Sequence, residues 1–375
     1  MPNFFLQVRP LCSYFLEFGS GEQYFFKVMS LVRRDIQEKI RPWMREPQII
    51  LIKGARRSGK TTLLSLIKEE IEKEGKSTAY YAVDQLMHEP FWRNVPTFLN
   101  FLKGERDFSS SRPLFLMLDE IQYLDDPGLF LKVLYDLTVN QLKIIVTGSS
   151  ALELSKTREF LPGRKIEFEL ERFSFSEFWR ARISDRDSPI RLQRDDHVAI
   201  RNFYEAYKYR LESAFTEYLT WGGYPEVVLK NGREKKGLML KNILNTYLER
   251  DVAALFHLSN ISGFNNLIHI LARQVGQLLN KKEISSTLGI HFQTLVSYLD
   301  LLSGTFIFDY VRPFYKNVRK ELSKMPKIYA RDIGIIQYAK PDHFTDYAMV
   351  DGHRVENFVY RQLLEYFEKK EIHFY

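Results

Sequence analysis

Eight consecutive residues, Gly54-Ala55-Arg56-Arg57-Ser58-Gly59-Lys60-Thr61, have types and a spacing that suit phosphate chemistry. They fit G-x-x-x-x-G-K-[ST] without a mismatch. Backbone N–H groups of residues 55–60 can wrap a β-phosphate, and a helix starting at the loop turns its N-terminus toward the negative charge. Gly54 and Gly59 let the backbone approach closely without a Cβ. Lys60 would bridge the β- and γ-phosphates, and Thr61 would place its hydroxyl on Mg²⁺. Ala55, Arg56, Arg57, Ser58 and Thr62 complete the candidate contacts, with the two arginines facing solvent or steering phosphate.

A phosphate loop needs a second set of groups. "PLFLMLDEIQ", residues 113–122, is an apolar run ending in two carboxylates. Asp119 sits where a carboxylate would hold Mg²⁺ through water, and Glu120 where one would polarise an attacking water. A well-placed general base contributes roughly 10²–10⁴ in rate. A separate glutamate beside the metal aspartate points to hydrolysis rather than to a kinase. "LKIIVTGSS", residues 142–150, is another apolar run that turns abruptly small and polar. Its Thr147 and Ser149 are candidates to touch the γ-phosphate or orient the water.

These groups meet only if the runs that carry them lie side by side. "QIILI" before the loop and "STAYYAVD" (77–84) read as strands, as do the runs at 113–122, 142–150 and "GRKIEFEL" (163–170). "TTLLSLIKEEIEKEG", "PFWRNVPTFLNFL" (90–102) and "PGLFLKVLYDLTVN" (127–140) carry helical spacing. Strand and helix in alternation, with apolar strands, predict an α/β fold with a parallel sheet covered on both faces. Near the start, "MSLVRRDIQEKIRPW" predicts an amphipathic helix stopped at Pro42.

Composition sets the frame. The 375 residues are 45% hydrophobic and 27% charged, ordinary for a globular protein, with a net charge of +7 that permits an anionic partner. One cysteine, Cys12, allows no internal disulfide, so a reducing cytoplasm is the expected location. The eight histidines show no zinc-ligand spacing beside cysteines, which argues against a metal held by protein alone. No run of eighteen apolar residues is present, so no spanning helix and no membrane partner are expected. Residues 1–28 are aromatic-rich, and the change of character at Met29 suggests an initiator there and a non-native extension before it; a genuine arm packed on the core is the competing reading.

In order, "GARRSGKTT", "FLMLDEIQ", "IIVTGSS", "LPGRKIEFEL" and "FSFSEF" resemble AAA-type P-loop ATPases of bacteria and archaea. The resemblance is to a subfamily with a second, C-terminal region of unknown function. That region is legible in "YLTWGGYPEVV", "TYLERDV", "MPKIYARDIGI" and "GHRVENFVYRQL", so the match runs from about Met29 to the end. It implies an AAA-like core sheet and ATP as the nucleotide. It suggests Arg164 as an arginine finger acting on a neighbouring subunit's ATP, hence a homo-oligomer; such an arginine is worth about 10³–10⁵ in rate. A surface arginine capping the Gly163 turn is the competing reading. GTP is disfavoured, because the one run like N-K-x-D is "NKKE" at 280–283. The family commonly continues into a nuclease-like fold with a helix glutamate, a strand aspartate and Glu-x-Lys. Here only the helix glutamate, Glu356, is present, so no nuclease activity is expected and an apolar face over 355–367 is expected to lie open.

The expected organisation is an ATPase core at 29–172, a helical lid or linker at 173–275, a winged-helix-like region at 276–325 and an incomplete nuclease-like fold at 326–375. Residues 171–215 are rich in charge and read as a solvated segment with helical parts. Residues 277–302 read as helix, turn at Gly289 and helix, with Ile284, Leu288, Leu295, Val296, Leu299 and Leu302 facing inward. His291, Gln293, Thr294 and Ser297 then lie near the exposed front of the second helix and are candidates for contact with double-stranded DNA. Residues 312–331 hold seven basic residues, Arg319 and Lys320 among them, against the single acid Glu321. That is the footprint of phosphate binding or of a solvated hairpin. The reading is an enzyme that hydrolyses ATP with Mg²⁺ and couples it to the C-terminal half. Its rivals are a non-hydrolysing, ATP-gated regulatory module acting through DNA or protein, and a non-functional remnant.

Overall fold

The computed structural model describes residues 32–149, 161–183, 196–248, 260–338 and 352–375. The extension at 1–28, and much of the charged run at 181–196, lie outside the described residues. Five apolar runs form one sheet: β1 (Ile49–Lys53), β2 (Thr78–Ala82), β3 (Leu114–Asp119), β4 (Leu142–Gly148) and β5 (Lys165–Glu169). The order is β2-β3-β4-β1-β5 and every neighbouring pair is parallel. β3 and β4 are buried along their whole length. That burial is the reason their sequences are nearly continuous apolar runs rather than alternating ones.

Alternate residues of β1, β2, β3 and β4 feed two cores. Leu116, Leu118, Ile144 and Val146 pack with Phe98 and Leu102 of the helix Val95–Glu105 and with Leu131 and Leu134 of the helix Pro127–Thr138. Ile50, Ile52, Met117 and Ile145 pack on the other face with Leu63, Leu64 and Ile67 of the helix Lys60–Lys73. Register places Lys53 beside Gly148 and Ala82 beside Asp119, so the phosphate loop and both polar strand tips share one edge of the sheet. The segment before β1 departs from expectation. Its α-helix is only Ile36–Ile40, and Pro42 lies within a 3₁₀ turn, Arg41–Arg45. Proline is tolerated there because its missing N–H is not needed in a first turn.

The C-terminal half is mainly helical, around a third core. After the helix Ile261–Arg273, residues 276–279 run beside a later strand, with Gly276 N–H donating to Ile328 O at 2.8 Å and Leu279 N–H to Pro326 O at 2.8 Å. The helices Lys281–Leu288 and Phe292–Gly304 come next, joined at Gly289, whose φ of 62° suits glycine. Ile284, Leu295, Leu299 and Leu302 are buried, while Leu288 and Val296 are half-buried. Asn280 caps the first of these helices, so "NKKE" is a helix start. β6 (Phe308–Val311) and β7 (Lys327–Ala330) then pair antiparallel, with the short helix Val318–Ser323 between them. No helix among the described residues is long and apolar enough to cross a membrane.

Three charge and surface expectations change. Glu171, Arg172, Ser174 and Glu177, expected in a solvated segment, are buried. Arg331, counted among the basic residues of 312–331, is buried as well and pairs with Glu169, Glu171 and Asp309. Composition cannot show that these opposite charges neutralise one another across the fold. The open apolar face expected over 355–367 is partly covered. Phe358 packs edge-on against Phe175, Phe215 and Tyr218, whereas Val359, Tyr366 and Phe367 stay exposed.

Arg331→Met would strand three carboxylates, and should cost about 3–5 kcal/mol in urea unfolding. A pH effect is expected on β5. Burial opposes ionisation of Glu167, but Lys165 (2.6 Å) and Lys53 (3.0 Å) outweigh it and hold its pKa at about 2. Its stabilising contribution is therefore complete above the unfolded value of 4.5 and lost as pH falls toward about 2. Glu167→Gln should cost about 1–2 kcal/mol at pH 7, with the difference from the parent vanishing across that acid window.

Candidate functional site

β1 ends at Lys53, the loop Gly54–Gly59 comes after it, and Lys60 opens the next helix. The loop is tightly held. A Cβ on Gly54 would lie 2.3 Å from Leu170 O, so only glycine fits. Arg57 and Gly59 take positive φ, 61° and 95°. Buried Arg34, a residue that sequence alone did not single out, donates to Ser58 O at 2.8 Å, to Glu171 O at 2.6 Å and to the Glu177 carboxylate at 3.0 Å. Arg56 reaches Tyr123 at 3.3 Å and Arg57 pairs with Glu226 at 3.1 Å. Ser58 is wholly buried, and its hydroxyl has no hydrogen-bond partner among the described residues.

Lys60 Nζ donates to Gly54 O at 3.2 Å and Ala55 O at 3.1 Å, and lies 3.6 Å from the Glu120 carboxylate. Burial lowers its pKa, and the nearby Glu120 and Asp119 work against that shift. At the end of β3, Asp119 is 3% exposed, a costly place for a carboxylate without donors. It has three. Thr61 donates at 2.6 Å, Tyr80 of β2 at 3.0 Å, and Thr147 of β4 to the other oxygen. Thr147 also accepts from Glu120 N–H at 3.0 Å.

Glu120 has φ 56°, a left-handed conformation that costs a non-glycine residue about 1–3 kcal/mol and points to a functional constraint. Gln122 donates to its carboxylate and to Ser149 Oγ, the latter at 2.8 Å. Asp84, after β2, has its pKa raised by burial and by the neighbouring Glu120 and Asp119. Burial and Asp119 likewise raise the Tyr80 hydroxyl.

The structure thus brings Gly54, Lys60, Thr61, Asp119, Glu120, Thr147 and Ser149 to one edge of the sheet; Thr62 is next on the same helix, exposed. It adds Arg34, Tyr80, Asp84, Gln122 and Glu226. Gln122 lay in the quoted "DEIQ", but the others could be found only from strand order and long-range packing.

Arg164 is elsewhere. Its carbonyl accepts from Ile49 N–H at the start of β1, so the five residues of β1, roughly 16 Å, separate it from the loop. Its guanidinium pairs with Asp136 at 2.8 Å. His291 caps its helix, Gln293 and Ser297 are exposed, and Thr294 is half-buried. Arg319 and Lys320 are exposed on the short helix between β6 and β7. Lys327 is tied to Glu356 at 2.7 Å, and Tyr329 stacks on Tyr360 at 4.5 Å.

The donors present suit the ligands that the motif implies. Thr61 and Asp119 offer hard oxygens 2.6 Å apart, the chemistry Mg²⁺ prefers, and Lys60 with the loop N–H groups offers phosphate its donors.

Residues 46–179 match the family model of an AAA domain, and residues 212–344 that of a domain of unknown function. The chain carries an AAA-type P-loop ATPase domain followed by a C-terminal domain of unknown function. It is 27% identical over 326 residues to an uncharacterized protein of Haemophilus influenzae, covering 84% of this chain and 74% of that protein. An uncharacterized protein of Mycobacterium tuberculosis is 25% identical over 309 residues, 82% of this chain and 59% of that one. One from Methanocaldococcus jannaschii is 27% identical over 311 residues, 78% of this chain and 63% of that one. The chain therefore spans less than two thirds of the last two. Among solved structures, the replication initiator DnaA bound to AMPPCP and single-stranded DNA aligns over 71% of this chain and 86% of that chain. Its identity of 17% and TM-score of 0.30 are too low to carry residue roles across.

Gly54→Ala should lower stability by about 1–3 kcal/mol without any nucleotide, because the new methyl meets Leu170 backbone. Thermal unfolding of the two proteins under the same conditions checks this.

Proposed function

We propose that the chain binds ATP with Mg²⁺, hydrolyses it, and uses the cycle to rearrange its C-terminal half. The carrying observation is the convergence of Lys60, Thr61, Asp119 and Glu120 behind a loop closed to any Cβ at Gly54. In this reading the loop amides and Lys60 bind the β- and γ-phosphates. Thr61 and Asp119 hold Mg²⁺, which supplies charge neutralisation at the phosphate oxygens. Glu120 takes a proton from the water that attacks the γ-phosphorus, the bond to the departing ADP oxygen breaks, and the proton passes on to solvent. Thr147 fixes the Glu120 backbone and Asp119 together, and Ser149 with Gln122 orients the Glu120 carboxylate.

In the same reading residues 29–172 are the ATPase core, 173–275 a helical lid and 276–325 a winged helix. The order helix, a segment bridged to β7 at Leu278, helix, tight turn, helix and antiparallel hairpin supports the last. His291, Gln293, Thr294 and Ser297 would face duplex DNA, with Arg319 and Lys320 on its phosphates. Arg164 would act only on nucleotide held by a neighbouring copy of the chain.

One observation favours a second reading. Glu120 is engaged by both Lys60 and Gln122, which suits a switch that binds ATP without turnover. Steady-state hydrolysis with Mg²⁺, with and without duplex DNA, separates the two. Glu120→Gln should retain ATP and lose about 10²–10⁴ in turnover, and Lys60→Ala should lose binding as well. ATP held by the parent without turnover would establish the switch.

A further inference from the structure

The turn at 222–226 joins two distant parts of the chain. On one side it meets the phosphate loop. The Glu226 carboxylate holds the Arg57 guanidinium at 3.1 Å, and Pro225 lies 3.8 Å from where a Cβ on Gly59 would be. On the other side it is anchored at Asp332, just after β7. Gly223 N–H donates to Asp332 at 2.7 Å, and the other Asp332 oxygen accepts from Gly334 N–H at 2.8 Å. There is no slack at this end. A Cβ on Gly222 would lie 2.0 Å from Asp332, and one on Gly223 would lie 2.3 Å from Phe173 O. Phe173 N–H in turn donates to Gly223 O at 2.8 Å.

We propose that this turn is a coupling element that carries the state of the phosphate loop to β7 and its hairpin. The proposal rests on the nucleotide reading above. The two ends differ in the way a transmitter requires. The Arg57–Glu226 pair has side chains 30% and 46% exposed, so solvent weakens it and a competing anion can displace it. Phosphate in the loop is such an anion, and it competes with Glu226 for the same positive charge. The Asp332 end is buried and fully packed, so a shift of the turn is passed on rather than absorbed. Coupling of this kind is reciprocal: a ligand on the hairpin must change nucleotide affinity by the factor with which nucleotide changes the hairpin.

The test is amide hydrogen exchange on the full chain, with and without ATP and Mg²⁺, for the parent and Glu226→Gln. Glu226→Gln removes the pair that phosphate would displace, so the variant without nucleotide should already exchange at 222–228 and 327–335 as the nucleotide-bound parent does. In the parent, nucleotide should protect 54–61 and change exchange at 222–228 and 327–335 by about 5-fold or more, the lower end of coupling between sites. Glu226→Gln should keep the protection at 54–61 and lose the change at 327–335. Protection at 54–61 with no change at 327–335 in the parent would overturn the link alone, as would an equal change in the variant. No protection at 54–61 would remove the nucleotide reading and the link with it.

Discussion

One buried carboxylate organises the candidate site. Asp119 ends β3, and its cost of burial is met by hydroxyls from Thr61, Tyr80 and Thr147. Those donors come from the loop helix, from β2 and from β4, so satisfying one charge fixes four elements against one another. Thr147 extends the knot to the Glu120 backbone, whose left-handed conformation turns the next carboxylate toward Lys60. The sheet order makes this possible, because β3 lies between β2 and β4.

A second set of buried charges ties the ATPase domain to the C-terminal half. Arg331, just after β7, pairs with Glu169 of β5, with Glu171 and with Asp309 of β6. Arg361 approaches Glu171 at 3.9 Å and pairs with Glu365 at 2.7 Å, while Arg172 donates to Tyr224 at 2.8 Å and to Phe306 O at 2.6 Å. Buried ion pairs add little net stability over apolar packing, yet removing one partner is expensive. They therefore act here as registration points: β5, β6 and β7 must meet in one arrangement or leave charges stranded. The two sets of interactions approach each other at Arg34, which touches both the phosphate loop and the Glu171 backbone.

The parallel sheet was legible because fully buried strands write themselves as apolar runs, and "LFLMLD" or "IIVTG" leave little room for another reading. The phosphate loop was legible because its chemistry requires fixed residue types at fixed spacing. The helix pair at 281–304 was legible from Ile284, Gly289, Leu295 and Leu299, whose spacing needs no tertiary information. The charged segments were not legible in this way. Glu171 and Arg331 are 160 positions apart in sequence and in contact in the fold, and composition alone reads each as solvated.

The sequence by itself determined the loop, the strand tips and the types of side chain at them, because local spacing dictates local backbone. Only the tertiary structure decided that Tyr80, Gln122 and Arg34 complete the site, that Arg164 lies at the far end of the strands, and that Glu226 holds Arg57. Each of these depends on strand order and on contacts across long sequence separation. Such contacts arise when charges and apolar faces find partners, and the folded chain alone specifies which partners those are.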